Sequence, residues 1–274
     1  MGLAGVGDLG QWGRVPADET VMVVASPRKG GREVVVALGL LVGVSLAVQA
    51  LFASVRYEWN WQAAWGYRAQ FFQGWLLTLG IAAGAMGVSL VVGLGLMAGR
   101  RAPWLAVRML CGGIVELVRG TPLLVQLLIG YYIVAQQLKV SDPVVVGVLL
   151  LGLFEGAYLA EIFRGAVESI GASQREAARA VGFNAAQTYR FVILPQAMRR
   201  ALPGTAGQMV SLVKDSSLLS VIGIEELVQK VKILNSASYT ALEGYLPLAV
   251  AYLVVTLPLS RWAQALERRF HYET

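Results

Sequence analysis

The chain has 274 residues, of which 56% are hydrophobic and 15% charged, with a positive mean hydropathy and a formal net charge of +6. Soluble domains carry about 25% charged residues, so the composition indicates a membrane class rather than an ordinary globular surface. One cysteine, Cys111, and one histidine, His271, exclude a disulfide framework and a Cys/His zinc cluster, and leave no metal site to predict.

Residues 1–33 read as a polar, glycine-bearing cytoplasmic tail, expected to be mobile. Val34–Val55 is uncharged and long enough to cross a ~30 Å hydrocarbon core. It exceeds the roughly 7–15 residues of a signal-peptide apolar region, so it is expected to be retained. The external segment that follows holds Tyr57, Trp59, Trp61, Trp65 and Tyr67, an interfacial belt or a helix lying on the surface. Gly74–Ala98 is the second uncharged span. Four less uniform ones follow at about Leu110–Gln137, Pro143–Phe163, Pro203–Val228 and Tyr245–Leu266, making six. Gly80-x-x-x-Gly84 and Gly95-x-x-x-Gly99 permit close helix packing.

Basic residues orient this six-span arrangement. Residues 14–32, 100–108, 164–200 and 261–269 hold most of them and are placed inside. Only Arg56, Arg68, Lys139, Lys230 and Lys232 fall outside. Both termini are therefore expected in the cytoplasm. The basicity sets topology and does not indicate a nucleic-acid partner.

Between the fourth and fifth spans stands a polar stretch, "REAARAVGFNAAQTYRFVILPQAMRR", from Arg175 to Arg200. Gln174–Val181 suits an alanine-rich helix that Gly182 stops. Asn184 and Gln187 resemble a capping box opening a second helix, and Pro195 is expected to limit it. The stretch superficially looks like a DNA-binding helix-turn-helix. Anchoring both ends beside a bilayer makes groove docking difficult, and long ordered loops are usually functional. A docking element for a cytoplasmic protein is the preferred reading.

One predicted span carries a polar stripe, Thr205, Gln208, Ser211 and Asp215, at helical spacing. Such a stripe faces a bundle interior or a water-filled cavity, or serves as interhelical hydrogen-bonding glue. Arg119 precedes Thr121-Pro122, a helix break. It suits a carboxylate clamp or, equally, an ion pair with Glu116. Glu155 also lies inside a predicted span, its role open between packing and solvation. Glu161 and Arg164 are nearer the cytoplasmic end, placed to orient the docking element.

The chain resembles the permease subunits of ATP-binding-cassette importers for polar amino acids. Those permeases carry EAA, three residues, Gly, nine residues, then I-x-LP. Here Glu176-Ala177-Ala178 leads to Gly182 and then Val192-Ile193-Leu194-Pro195, with valine at the isoleucine position. Further matching stretches are "LVRGTPLLVQ", "AYLAEIFRGAVESI", "VKDSSLLSVIGIEEL" and "LERRF", in order. The resemblance implies an all-α membrane protein: a type I importer permease core over 74–270, preceded by an additional span and external segment over 34–73. It also implies a coupling segment over 165–200, in which Glu176, Ala177, Ala178, Gly182 and Pro195 engage an ATPase subunit. Ala177 and Ala178 would permit close approach, and Arg119, Gln208, Ser211 and Asp215 would border the substrate path. The expected function is ATP-driven inward transport of polar amino acids across the bacterial inner membrane by alternating access. The chain itself is expected to be no enzyme and to need no cofactor; ATP and magnesium would sit on the ATPase. The expected partners are ATPase subunits, a second permease subunit and an external amino-acid-binding protein. The alternative is an ion- or proton-coupled carrier acting alone; an intramembrane hydrolase lacks a plausible triad.

Overall fold

The computed structural model describes residues 31–54 and 57–271, and every described element is helical. Residues 1–30, most of the predicted tail, lie outside the described residues. The chain divides into two units, residues 1–58 and 59–274. The first contains α1 (Gly31–Ser54), an apolar helix of 24 residues or about 36 Å, where the first span was predicted.

The second unit begins with α2 (Trp61–Gly66), inside the aromatic segment. Asn60 caps it, accepting from the Ala63 N–H at 3.0 Å, while Trp59 stacks on Trp61 at 5.6 Å between ring centroids. Next come α3 (Arg68–Gly99), α4 (Leu105–Gly120) and α5 (Leu123–Ile129), the last running on through a wide π-turn, Gly130–Ala135. α6 is Pro143–Glu168, opened by Asp142, which accepts from the Val144 N–H at 2.8 Å. Helices α3, α6 and α11 (Ala241–His271) are each long and apolar enough to cross a membrane.

Two predicted spans are not continuous rods. α4 and the helix running from Leu123 to Ala135 meet at 110° across Thr121-Pro122. Proline removes an N–H donor and disfavours helical geometry in the residue before it. Gln126 makes good the break, its amide donating to the Val118 carbonyl at 2.7 Å and to the Thr121 hydroxyl at 2.8 Å. The stretch predicted as Pro203–Val228 is instead α9 (Leu194–Asp215), a 3-10 run over Ser216–Ile222, a left-handed Gly223 and the start of α10 (Leu227–Ser238).

Glu226 explains why that return is ordered. It caps α10 by accepting from the Val228 and Gln229 N–H groups at 3.0 Å each, and from the Thr78 hydroxyl at 3.3 Å. Glu226→Ala would leave these N–H groups and the Thr78 hydroxyl without their acceptor, and is expected to lower the unfolding midpoint of the purified protein by about 1–2 kcal/mol of stability.

The core joins α3, α6 and α9. Ile81, Ala85, Leu151, Ala157, Leu212 and Leu219 are all at most 1% exposed. Of the two glycine pairs singled out by spacing, Gly80 and Gly95 face open space, whereas a β-carbon at Gly84 would stand 3.4 Å from the Val148 Cγ1 and one at Gly99 2.4 Å from the Cys111 Sγ. Backbone meets backbone between α3 and α6 at Gly93, where a β-carbon would stand 2.9 Å from the Leu159 Cβ and 3.0 Å from the Gly156 carbonyl oxygen. Gly93→Val is expected to push α3 off α6 and cost about 1–3 kcal/mol, seen as an earlier unfolding midpoint. Gly95→Val meets open space and should leave the midpoint nearly unchanged.

Candidate functional site: a coupling element and a buried polar lane

The polar stretch folds as two helical segments. α7 (Ala172–Ala180) ends in a Schellman motif. The Phe183 N–H donates to the Ala178 carbonyl at 3.0 Å and the Gly182 N–H to the Arg179 carbonyl at 2.9 Å, with Gly182 at φ +84°. α8 (Ala185–Gln187) opens with a capping box: Asn184 and Gln187 exchange side-chain to backbone hydrogen bonds of 2.9 Å. α8 then runs through a wide π-turn, Thr188–Ile193, directly into α9. Pro195 therefore does not end the second helix. It sits in the first turn of α9, where a missing N–H is tolerated.

Val167, Ile170, Ile193 and Ala197 form a small apolar cluster under the pair. Arg200 ties the base, donating to the Ser169 carbonyl at 2.7 Å and hydroxyl at 2.9 Å. Glu161, on α6, accepts from Arg100 and from Arg164 at 2.7 Å, and Arg119 lies 3.6 Å away. Thus the end of α3, the end of α4 and the coupling end of α6 converge on one carboxylate. Glu176 and Ala177 are exposed on α7, whereas Ala178 is 4% exposed and packs inward. The expectation that both alanines permit a partner's approach is therefore corrected: Ala177 is accessible, and Ala178 holds the pair together.

The lane lies between α6 and α9. Glu155 is fully buried, and Gln208 donates its amide to one carboxyl oxygen. The other oxygen, Oε1, accepts from no N–H or hydroxyl group among the described residues. The carboxyl of Asp215 faces the same group. Ser211, half-buried, lies between Gln208 and Asp215 along α9. Thr205 leaves the stripe: its hydroxyl bonds back to the Ala201 carbonyl at 2.9 Å, and it lines an apolar groove instead. Arg119 takes Glu161 rather than Glu116, with its guanidinium 5.3 Å over the Tyr158 ring.

Glu155 is the member whose role sequence reasoning left open. A carboxylate amid apolar residues is a signal by its cost alone. Its partners come from α9, 53 residues further on, and no local pattern names them.

These features describe apolar helices long enough to cross a membrane, with a polar helical pair at one end and a buried polar cluster between α6 and α9. The chain belongs to the binding-protein-dependent transport system inner membrane components, whose family model matches residues 91–272. It is 37% identical over 220 residues to the glutamine transport system permease protein GlnP of Escherichia coli K12, covering 77% of this chain and 98% of that one. It is 30% identical over 217 residues to the histidine/lysine/arginine/ornithine transport system permease protein HisQ of the same strain, covering 75% and 95%. A crystal structure of an amino acid ABC transporter with histidines is similar at a TM-score of 0.72 and 31% identity, over 78% of this chain and all of that one. An inward-facing methionine transporter structure shares the fold, with a TM-score of 0.58 and 18% identity.

The chain is thus the membrane subunit of an ATP-binding-cassette importer and not itself an enzyme, since hydrolysis belongs to a separate subunit. Family membership sets aside the carrier acting alone. It implies ATPase and binding-protein partners in general and an inner-membrane location.

Proposed function

We propose that this permease moves polar amino acids inward by alternating access. It works with a second permease subunit, an external amino-acid-binding protein, and ATPase subunits that carry ATP and magnesium and dock on α7 and α8. Both termini face the cytoplasm. The reading is supported by amino-acid permeases of E. coli at 30–37% identity.

The observation that carries it furthest is the buried Glu155, whose Oε1 meets no N–H or hydroxyl donor among the described residues and faces the carboxyl of Asp215, beside Gln208. An unmet buried acceptor costs about 1–3 kcal/mol. A substrate ammonium group supplies the missing donors and a matching charge. Arg119, already shared with Glu161 and Tyr158, is placed to receive a carboxylate at the coupling end of the lane, exchanging one acid for another.

Reconstitution tests this. Vesicles holding the permease and its ATPase should take up amino acids only when the ATPase subunit, ATP and magnesium are present on the coupling side. Uptake driven by an ion gradient without the ATPase would contradict the proposal.

A further inference from the structure

Beneath the coupling pair lies a pocket of about 470 Å³ that amino-acid transport does not use. Arg101 from the end of α3 and Arg175 and Arg179 from α7 line it, against one carboxylate, Glu168, which Arg164 already engages. Thr188 lines the same pocket. It is 8% exposed, and its buried hydroxyl has no hydrogen-bond partner among the described residues. Three guanidinium groups and an orphan hydroxyl describe an anion site with phosphate chemistry.

A second cavity adjoins the pocket. An apolar groove of about 350 Å³ shares Val167 and Tyr189 with it and runs between α3, α6 and α9, past Leu94, Met198 and Leu202. A free phosphate ion has no use for such a groove, whereas an acyl chain does. Ala177, the accessible residue of the motif, lies about 180° round α7 from the midpoint of Arg175 and Arg179. The arginines therefore stand on the opposite side of α7 from Ala177, with Glu176 about 80° from that midpoint.

We propose that pocket and groove together hold one anionic phospholipid of the cytoplasmic leaflet. Its phosphate sits among Arg101, Arg175 and Arg179, and one acyl chain lies along the groove. Basic pockets between spans on the cytoplasmic side suit such headgroups. A zwitterionic lipid's ammonium would meet guanidinium groups and no uncommitted acid. The bound lipid wedges the coupling pair against the spans, so that force applied at α7 reaches α9. The placement rests on the coupling end facing the cytoplasm.

The test uses the complex with its ATPase subunits, extracted from vesicles of phosphatidylglycerol and phosphatidylethanolamine, with retained lipid identified by mass spectrometry. Phosphatidylglycerol should be enriched. Arg101→Gln with Arg179→Gln should reduce the enrichment about tenfold or more, as losing charge-assisted hydrogen bonds implies. The matching lysine pair should keep most of it. Thr188→Val should weaken it further down the same scale, and Leu202→Trp, which fills the exposed groove, should reduce it with the arginines intact.

Equal retention of both lipids overturns the proposal, as does enrichment indifferent to the arginine changes. So does inorganic phosphate displacing the lipid while Leu202→Trp has no effect, which marks a site for free anions. Expulsion of the lipid on ATPase binding assigns the arginines to that partner and also overturns it. Absence of enrichment in the unaltered complex, with ATP-driven uptake intact, sinks this inference alone and leaves the transport function standing.

Discussion

Gly182→Val is expected to abolish ATP-driven uptake in a chain that still inserts into the membrane. Gly182 holds φ at +84°, and the Schellman hydrogen bonds from Gly182 and Phe183 close only in that conformation. A left-handed backbone costs an L-residue about 1–2 kcal/mol, and β-branching adds to it. Open space surrounds the position, so the penalty comes from the backbone and not from a clash. The chain relieves the strain by unwinding the end of α7, which carries Glu176 and Ala177. The spans, held by the α3–α6–α9 core, are untouched. ATPase subunits should then copurify poorly with the variant, while Gly182→Asn, which tolerates this region, should retain a substantial part of both association and uptake.

The second large effect is expected at Glu155. Glu155→Gln preserves shape and an acceptor for Gln208 but removes the ionisable group that a substrate ammonium would meet beside Asp215. A charge-assisted hydrogen bond contributes about 1.5–3 kcal/mol, so kcat/KM for uptake should fall roughly 10- to 100-fold. Asp215→Asn should act in the same direction. Glu155→Leu should do worse, because it also leaves the Gln208 amide without its buried acceptor. If substrate-stimulated ATP hydrolysis and uptake are unchanged in Glu155→Gln, the polar lane is packing glue and not a path. Ser211→Ala, with no hydrogen bond to another helix, should have the smallest effect in the lane.

Long apolar runs and local caps were legible in the sequence because their physics is local. The spans at α3, α6 and α11, the Asn184–Gln187 capping box and the Gly182 stop each follow from a few neighbouring residues. What depends on contacts across the fold was not. Proline at 122 announced a break, but its angle is set by Gln126 recapturing the Val118 carbonyl. Pro195 looked like a helix stop because nothing local signals the π-turn that leads into it. Gly93 and Gly156 face each other from different helices, which spacing along one helix does not reveal; of the spaced pairs only Gly84 and Gly99 have close neighbours. Thr205 belongs to the stripe by periodicity, yet about 60° of rotation from Gln208 is enough to turn it toward a different cavity.

Glu155 illustrates the same division at the site. Its position inside a span gives a cost; its meaning comes only with Gln208 and Asp215 folded against it. Arg119 was read equally as a clamp for a carboxylate and as a partner of Glu116, one turn away; the fold offers Glu161, which already gathers Arg100 and Arg164. That cluster links the ends of α3 and α4 to the helix leading into the coupling pair. It gives a route by which movement of α7 is transmitted to the broken span.

The central claim is that force enters through α7 and opens a path between α6 and α9. A cysteine pair in a background lacking Cys111, one cysteine replacing Ala177 and one at the facing position of the ATPase, would be crosslinked in the reconstituted complex. The account predicts that the crosslink forms, that it persists through ATP turnover, and that accessibility of Ser211→Cys to a membrane-impermeant thiol reagent changes between the ATP-bound and ATP-free states. A Ser211→Cys thiol whose accessibility is the same in both states, in a complex that still hydrolyses ATP, would contradict it.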